Sequence, residues 1–183
     1  MNSLKMQIVV LKLEWGVKGG TVKLMLNSTF KINVSDEVDL FCDKGLFGMV
    51  HVDGSVIIEP RYQYISSPNS HGLCLIEDVD GCFGYMNLKG EDIIPACFDY
   101  VGVFIGDLCL VVTNEAYGVF NHKGEEIVPA TYDAVKIEPT YITLRYDNLW
   151  GAALLDGRTL YEVMYATSKD LEAVITEQKA PKE

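Results

Sequence analysis

Short apolar runs broken by polar turn residues recur along this chain at a nearly constant interval, and none has the length of a buried helix. Tyr85-Met86, Val119-Phe120 and Ala152-Ala153 form one set. Ile57-Ile58, Ile93-Ile94 and Ile127-Val128 form a second set, mostly β-branched, as strands favour. Between the sets lie Asn87-Leu88-Lys89-Gly90 and Asn121-His122-Lys123-Gly124, with His51-Val52-Asp53-Gly54 and Leu154-Leu155-Asp156-Gly157 at the same place. Asn first and Gly fourth is the pattern of a type I turn closed by a left-handed glycine, and the other two turns supply Asp-Gly at the same place, so each run pair is predicted to be a β-hairpin. A further strand is predicted at Leu73 to Ile76, Leu108 to Val112 and Tyr141 to Leu144, and at Ile8 to Leu13 before the first pair.

The interval is set by aromatic-Gly pairs: Trp15-Gly16, Phe47-Gly48, Phe83-Gly84, Tyr117-Gly118 and Trp150-Gly151, whose glycines are 32, 36, 34 and 33 residues apart. From each of the last four, a second glycine follows six positions on, and eight later comes an aromatic: Tyr62, Phe98, Tyr132 or Tyr165. The first copy is worn. It keeps Phe30 at the right distance but has Val22 where the inner glycine belongs. Pro95 and Pro129 are expected to end the second strand of their units, and Phe98-Asp99 and Tyr132-Asp133 to form a bend in which Asp serves backbone N–H groups.

These elements predict an all-β chain: a tandem array of about five three-stranded antiparallel meander repeats in an open, solenoid-like or superhelical stack, with a short C-terminal helix. Residues 1–167 form the array, with 1–44 a degenerate first repeat and 45–167 clear repeats. Residues 168–183 form a capping helix and frayed tail, since Leu171, Val174 and Ile175 fall at helical spacing behind Thr167 and Asp170, which are placed as a capping box. Units of about 34 residues are shorter than propeller blades, which argues against a closed ring. Aromatics at equivalent positions are expected to stack between neighbouring units.

The segments FGYMNLKGEDIIPACFDY, YGVFNHKGEEIVPATYDAV and WGAALLDG, with the linking GLCLIE and DLCLVV, closely resemble the bacterial WG repeat family, also called KWG repeats. The resemblance covers residues 45 to 166 well and 6 to 44 weakly. Two of the five aromatic-Gly pairs have Trp, and Glu162 stands where the last unit is expected to have proline. The resemblance implies a bacterial repeat protein that binds other molecules, and it brings no catalytic residues.

Composition changes the picture mainly through charge. Twenty-six Asp and Glu against fifteen Lys and Arg leave a net charge of −11, and the basic residues are scattered. Such a surface repels phosphate backbones and anionic headgroups, so neither nucleic acid nor membrane is an expected partner; a protein partner is. The N-terminal residues do not have the form of a signal peptide, no apolar run nears the roughly 20 residues that span a bilayer, and the five cysteines include no C-x-x-C. A reducing cytoplasm is the expected compartment.

Candidate chemistry is sparse. Cys74 and Cys109 occupy equivalent strand positions flanked by leucines and read as small core hydrophobes. Cys42, Cys82 and Cys97 with His51, His71 and His122 show no zinc-ligand spacing, and Glu77-Asp78-Val79-Asp80-Gly81 reads as a hairpin loop rather than a calcium loop. No catalytic, cofactor or metal residue is assigned, and no cofactor is expected. Asp36, Glu37, Asp39, Asp92 and Glu126 sit at turn edges, while Glu91 and Glu125, each directly after a turn glycine, are candidates for an acidic stripe facing a partner. The expected function is therefore non-catalytic binding of a protein partner, in one version as an inhibitor or immunity-type protein. The alternative is a small-ligand or carbohydrate binder using exposed aromatics, with Trp15 or Trp150 reporting on the ligand.

Overall fold

The computed structural model describes residues 6–7 and 30–179. The first aromatic-Gly pair at Trp15, the strand expected at Ile8 to Leu13 and the tail beyond Lys179 lie outside the described residues. The described residues are β-rich, with four antiparallel sheets and one helix among them, and the chain divides into two compact units, residues 1–96 and 97–183.

In the first unit a five-stranded sheet runs in chain order through β1 (Met6–Gln7), β2 (Phe30–Asn33), β3 (Val38–Asp43), β4 (Leu46–His51) and β5 (Val56–Tyr62). A second sheet follows with β6 (Tyr64–Ile65), β7 (Leu73–Glu77), β8 (Phe83–Asn87) and β9 (Asp92–Phe98), the unit boundary falling within β9. The second unit holds β10 (Tyr100–Val101), β11 (Leu108–Thr113), β12 (Ala116–Asn121) and β13 (Glu126–Tyr132) in one sheet. Its other sheet is β14 (Ala134–Ile137), β15 (Ile142–Tyr146), β16 (Leu149–Ala153) and β17 (Thr159–Tyr165), followed by the helix α1 (Ser168–Lys179).

The three-stranded repeat is thus corrected to four strands. The added strand, β6, β10 or β14, comes directly after the aromatic-x pair and hydrogen-bonds to the next sheet, as in Tyr100↔Val112 and Val101↔Val111. Two residues carry no periodicity, so β6 and β10 left no trace in the apolar pattern.

The role of proline is corrected as well. β9 and β13 run through Pro95 and Pro129 to the aromatic that closes each strand. The reason lies in the register: Tyr117 pairs with Tyr132 and Val119 with Val128, so four steps on β13 oppose two on β12. Proline sits in that bulge, where no ladder bond is asked of it. Gly118 is the residue opposite. A Cβ there would lie 2.8 Å from the backbone N of Ala130, so the glycine of the aromatic-Gly pair is the seat of the bulge. β17 makes the same slip, with Trp150↔Tyr165 and Ala152↔Tyr161, although Glu162 replaces the proline. The glycine, not the proline, is what this bend requires.

Turn chemistry follows the sequence reading. Gly90 and Gly124 have φ of 80° and 85°, and their N–H groups donate to Asn87 and Asn121 carbonyls at 3.0 and 3.1 Å. The β3–β4, β11–β12 and β15–β16 hairpins close on left-handed pairs, Lys44-Gly45, Asn114-Glu115 and Asp147-Asn148, as type I′ turns demand. Asp99 Oδ2 accepts from the Asn114 N–H at 2.7 Å, and Asp133 Oδ2 from the Asp147 N–H at 2.8 Å. The Asp after Phe98 and the Asp after Tyr132 therefore each cap the tip of the following hairpin.

The core of the first unit gathers Val38, Leu40, Met49, Ile58, Tyr62, Ile65, Cys74, Ile76 and Met86. In the second unit Leu108, Val119, Val128, Ile142, Leu144 and Ala153 pack together. A neighbouring cluster joins Ala152 to Leu171 and Ile175 of α1, with Trp150, Tyr161 and Tyr165 packed on it. Helix α1 starts as read: Thr167 Oγ1 accepts from the Asp170 N–H at 3.2 Å and donates to Asp170 Oδ2 at 2.7 Å. Three ring contacts among the described residues join places other than those expected to stack. Phe98 meets Phe120 edge-on at 5.5 Å, Tyr132 meets Tyr146 and Tyr161 meets Tyr165, none of them equivalent places in successive units.

Candidate functional site

In the second unit the turn between β12 and β13, the approach to β11 and the hairpin between β16 and β17 border a half-open cleft of about 260 Å³. The turn is built by Asn121, whose Oδ1 accepts from the N–H groups of Lys123 and Glu125 at 3.0 Å each. Its amide donates to Glu125 Oε2 at 2.5 Å, so that carboxylate is held at the cleft. His122 donates its backbone N–H to the Asp107 carbonyl at 3.0 Å, and its Nδ1 lies 3.4 Å from Asp107 Oδ1. Asp156 completes the lining; the backbone N–H of Arg158 holds its carboxyl below the usual value, with further help from the Arg158 side chain.

Three carboxylates, Asp107, Glu125 and Asp156, thus line it with one lysine, Lys123, and one imidazole, Asp156 being paired with the Arg158 guanidinium at 2.8 Å. Such a lining attracts cationic groups.

The residues singled out from the sequence are placed as follows. Cys74 and Cys109 are fully buried, and burial pushes their thiols up to about 11 and about 12, as inert core positions require. Cys109 Sγ also donates to the Gly102 carbonyl at 3.1 Å. Asp78 spends its Oδ1 on the N–H groups of Asp80 and Cys82, both at 2.9 Å, so the acidic loop is a self-capped hairpin. Trp150 is half-buried under α1, with the Arg145 guanidinium 5.9 Å from its ring centroid. Glu91 is tied to Asn87 as Glu125 is to Asn121. The place after the turn glycine holds Ser55 and Arg158 in the flanking repeats, so the acid there occurs in two of the four described turns. Asp107 and Asp156 lacked any sequence signal for meeting, being 49 residues apart.

The model of the WG containing repeat matches residues 47–81, 83–115 and 117–139 in three consecutive copies. The chain belongs to the WG-repeat family. The matched copies begin at Phe47, Phe83 and Tyr117, the aromatics that precede the bulge glycines, so this WG-repeat protein carries the family's hallmark where its sheets bend. No curated protein matches it. A solved structure described as KlHsv2 with loop 6CD replaced by a Gly-Ser linker is similar over 67% of this chain and 46% of that one, at 10% identity and a TM-score of 0.37. At that score the likeness bears on neither fold nor function. The WG-repeat chain spans less than half of that structure's length. No helix among the described residues is long and apolar enough to cross a membrane.

Proposed function

We propose that this WG-repeat protein is a non-catalytic binding protein of the bacterial cytoplasm that presents an acidic surface to a protein partner, in one version as an inhibitor or immunity-type protein against a basic target. The observation that carries the reading is the charge of −11 combined with a cleft where Asp107 and Glu125 stand against Lys123, the third carboxylate, Asp156, being paired with Arg158. Attraction of this kind is screened as the Debye length falls from about 10 Å at 0.1 M salt toward 3 Å at 1 M. Partners recovered from lysate on the immobilised chain are expected to elute at about 0.5 M salt. Partners that stay bound in high salt, or none at all, would count against it.

The finer architecture belongs to the same reading: about five units in an open, solenoid-like array. The fourth strand removes strand count as an argument for openness, and the repeat length of about 34 residues remains its support. Small-angle scattering reads the shape directly.

A second reading is a carbohydrate or small-ligand binder. It is favoured by exposed aromatics, since Tyr64, Tyr100 and Tyr146 are 45%, 54% and 55% accessible. Glycan-array binding, with loss on Tyr100→Ala, is its test.

A further inference from the structure

The segment joining β10 to β11 reads Gly102-Val103-Phe104-Ile105-Gly106, whereas its counterparts are polar: Ser66-Ser67-Pro68-Asn69-Ser70 before β7, and Glu138-Pro139-Thr140 before β15. Burial does not explain the difference. Val103 is 78% accessible, Ile105 59% and Tyr100 54%. The segment is nonetheless tied down at the backbone: the Gly102 N–H donates to the Leu110 carbonyl at 2.8 Å, and Ile105 and Leu108 exchange N–H to carbonyl bonds at 2.7 and 3.2 Å. Apolar side chains held outward by fixed backbone are costly in water and preorganised for a contact. At its end comes Asp107, whose side chain is 71% accessible and which lines the cleft shared with Glu125 and Asp156. Asp99 flanks the other end.

We propose that this loop and the adjoining cleft dock a cationic amphipathic segment of a protein partner, its apolar side chains against Val103 and Ile105 and its lysine or arginine toward Asp107. The choice of occupant follows from charge: an acidic cleft beside an apolar loop complements a segment carrying both apolar and basic residues, and a second copy of a chain at −11 would be repelled. The inference rests on the reading of the protein as a binder of a basic partner and names the surface it uses.

The test uses the full chain and three fluorescein-labelled peptides of equal length, alternating Leu-Lys, Ser-Lys and Leu-Glu, read by fluorescence anisotropy. The Leu-Lys peptide is expected to bind best. Val103→Ser with Ile105→Ser should weaken it at least about tenfold, and Asp107→Asn about threefold with a flatter salt dependence. Melting curves serve as the folding control; should the double variant fail to fold, Val103→Ser alone reads the same loss. Equal affinity for the native chain and the loop variant overturns the proposal, as does equal binding of the Leu-Glu peptide, or of zwitterionic lipid vesicles in place of any peptide. The two readings fail separately. If the loop variant still retains the salt-sensitive lysate partners, this surface is wrong and the binding function stands. If the native chain retains none while the Leu-Lys peptide binds at the loop, the surface stands and the protein partner falls.

Discussion

Asp133 shows how a single side chain in a repeat can serve the next one. Its Oδ2 accepts from the N–H of Asp147, 14 residues on, at the tip of a type I′ hairpin whose two central residues both have positive φ. A charged acceptor on an exposed backbone N–H contributes on the order of 1 kcal/mol. Asp133→Ala is expected to lower stability by about that much in urea titration, while Asp133→Asn, which keeps an acceptor, should restore most of it. Equal losses in both variants would mean that the hydrogen bond is not what matters. Gly118 makes the second residue-scale case. A Cβ there meets Ala130 backbone atoms at 2.8 Å and the Val128 carbonyl at 2.9 Å, and backbone cannot swing aside as a long side chain can. Gly118→Ala is expected to cost about 1–3 kcal/mol, the range for overpacking, and an unchanged urea midpoint would show that the bulge tolerates a methyl. Both residues were legible in the sequence as landmarks, but their jobs were not: the partner of Asp133 lies in another hairpin, and the reason for Gly118 lies on the strand opposite.

Elements divide by how local their signals are. The hairpin turns were read correctly because Asn87 and Asn121 and their glycines act within five residues. Helix α1 was read correctly for the same reason, from Thr167, Asp170 and the Leu171–Ile175 spacing. The strands that carry Pro95 and Pro129 run further than their sequence suggests, because proline usually ends a ladder and nothing local announces a bulge. The added strands β6 and β10, at two residues each, left no pattern to read. The cleft was the least legible, since Asp107, Glu125 and Asp156 come from three connections brought together by sheet packing alone. Helix α1 is held chiefly by Leu171, which is fully buried against Ala152, Trp150 and the tyrosines of β17. Leu171→Ala is expected to cost about 2–5 kcal/mol, with helix signal lost before strand signal on heating. Coincident loss of both would show α1 to be integral to the last sheet's folding rather than a cover over it.

For the molecule as a whole, the dominant fact is its charge. Eleven uncompensated negative charges repel one another more in the folded chain than in the expanded unfolded one, so screening should stabilise the fold. Few ion pairs among the described residues oppose this: Lys136–Glu138 and Arg158–Asp156 are local and largely exposed, and exposed pairs contribute at most about 1 kcal/mol. The melting temperature is therefore expected to rise between about 0.01 and 0.5 M sodium chloride, by roughly 2–4 °C for each kcal/mol of repulsion relieved. Acid should act in two opposing ways. Neutralising carboxylates relieves repulsion, but Asp53 and Asp156 sit below their usual value because backbone N–H groups of Ser55 and Arg158 bind their charged form. A depressed folded value means that their contribution is complete above the ordinary carboxylate range and is lost as pH falls through the lower folded value. Stability should thus rise gently as pH is lowered from 7 toward about 5, then fall below about 4 as the turn carboxylates protonate. A melting temperature that instead declines steadily from pH 7, or that drops as salt is added, would mean that the acidic groups are locally compensated; the excess charge would then not be available to recognise a basic partner.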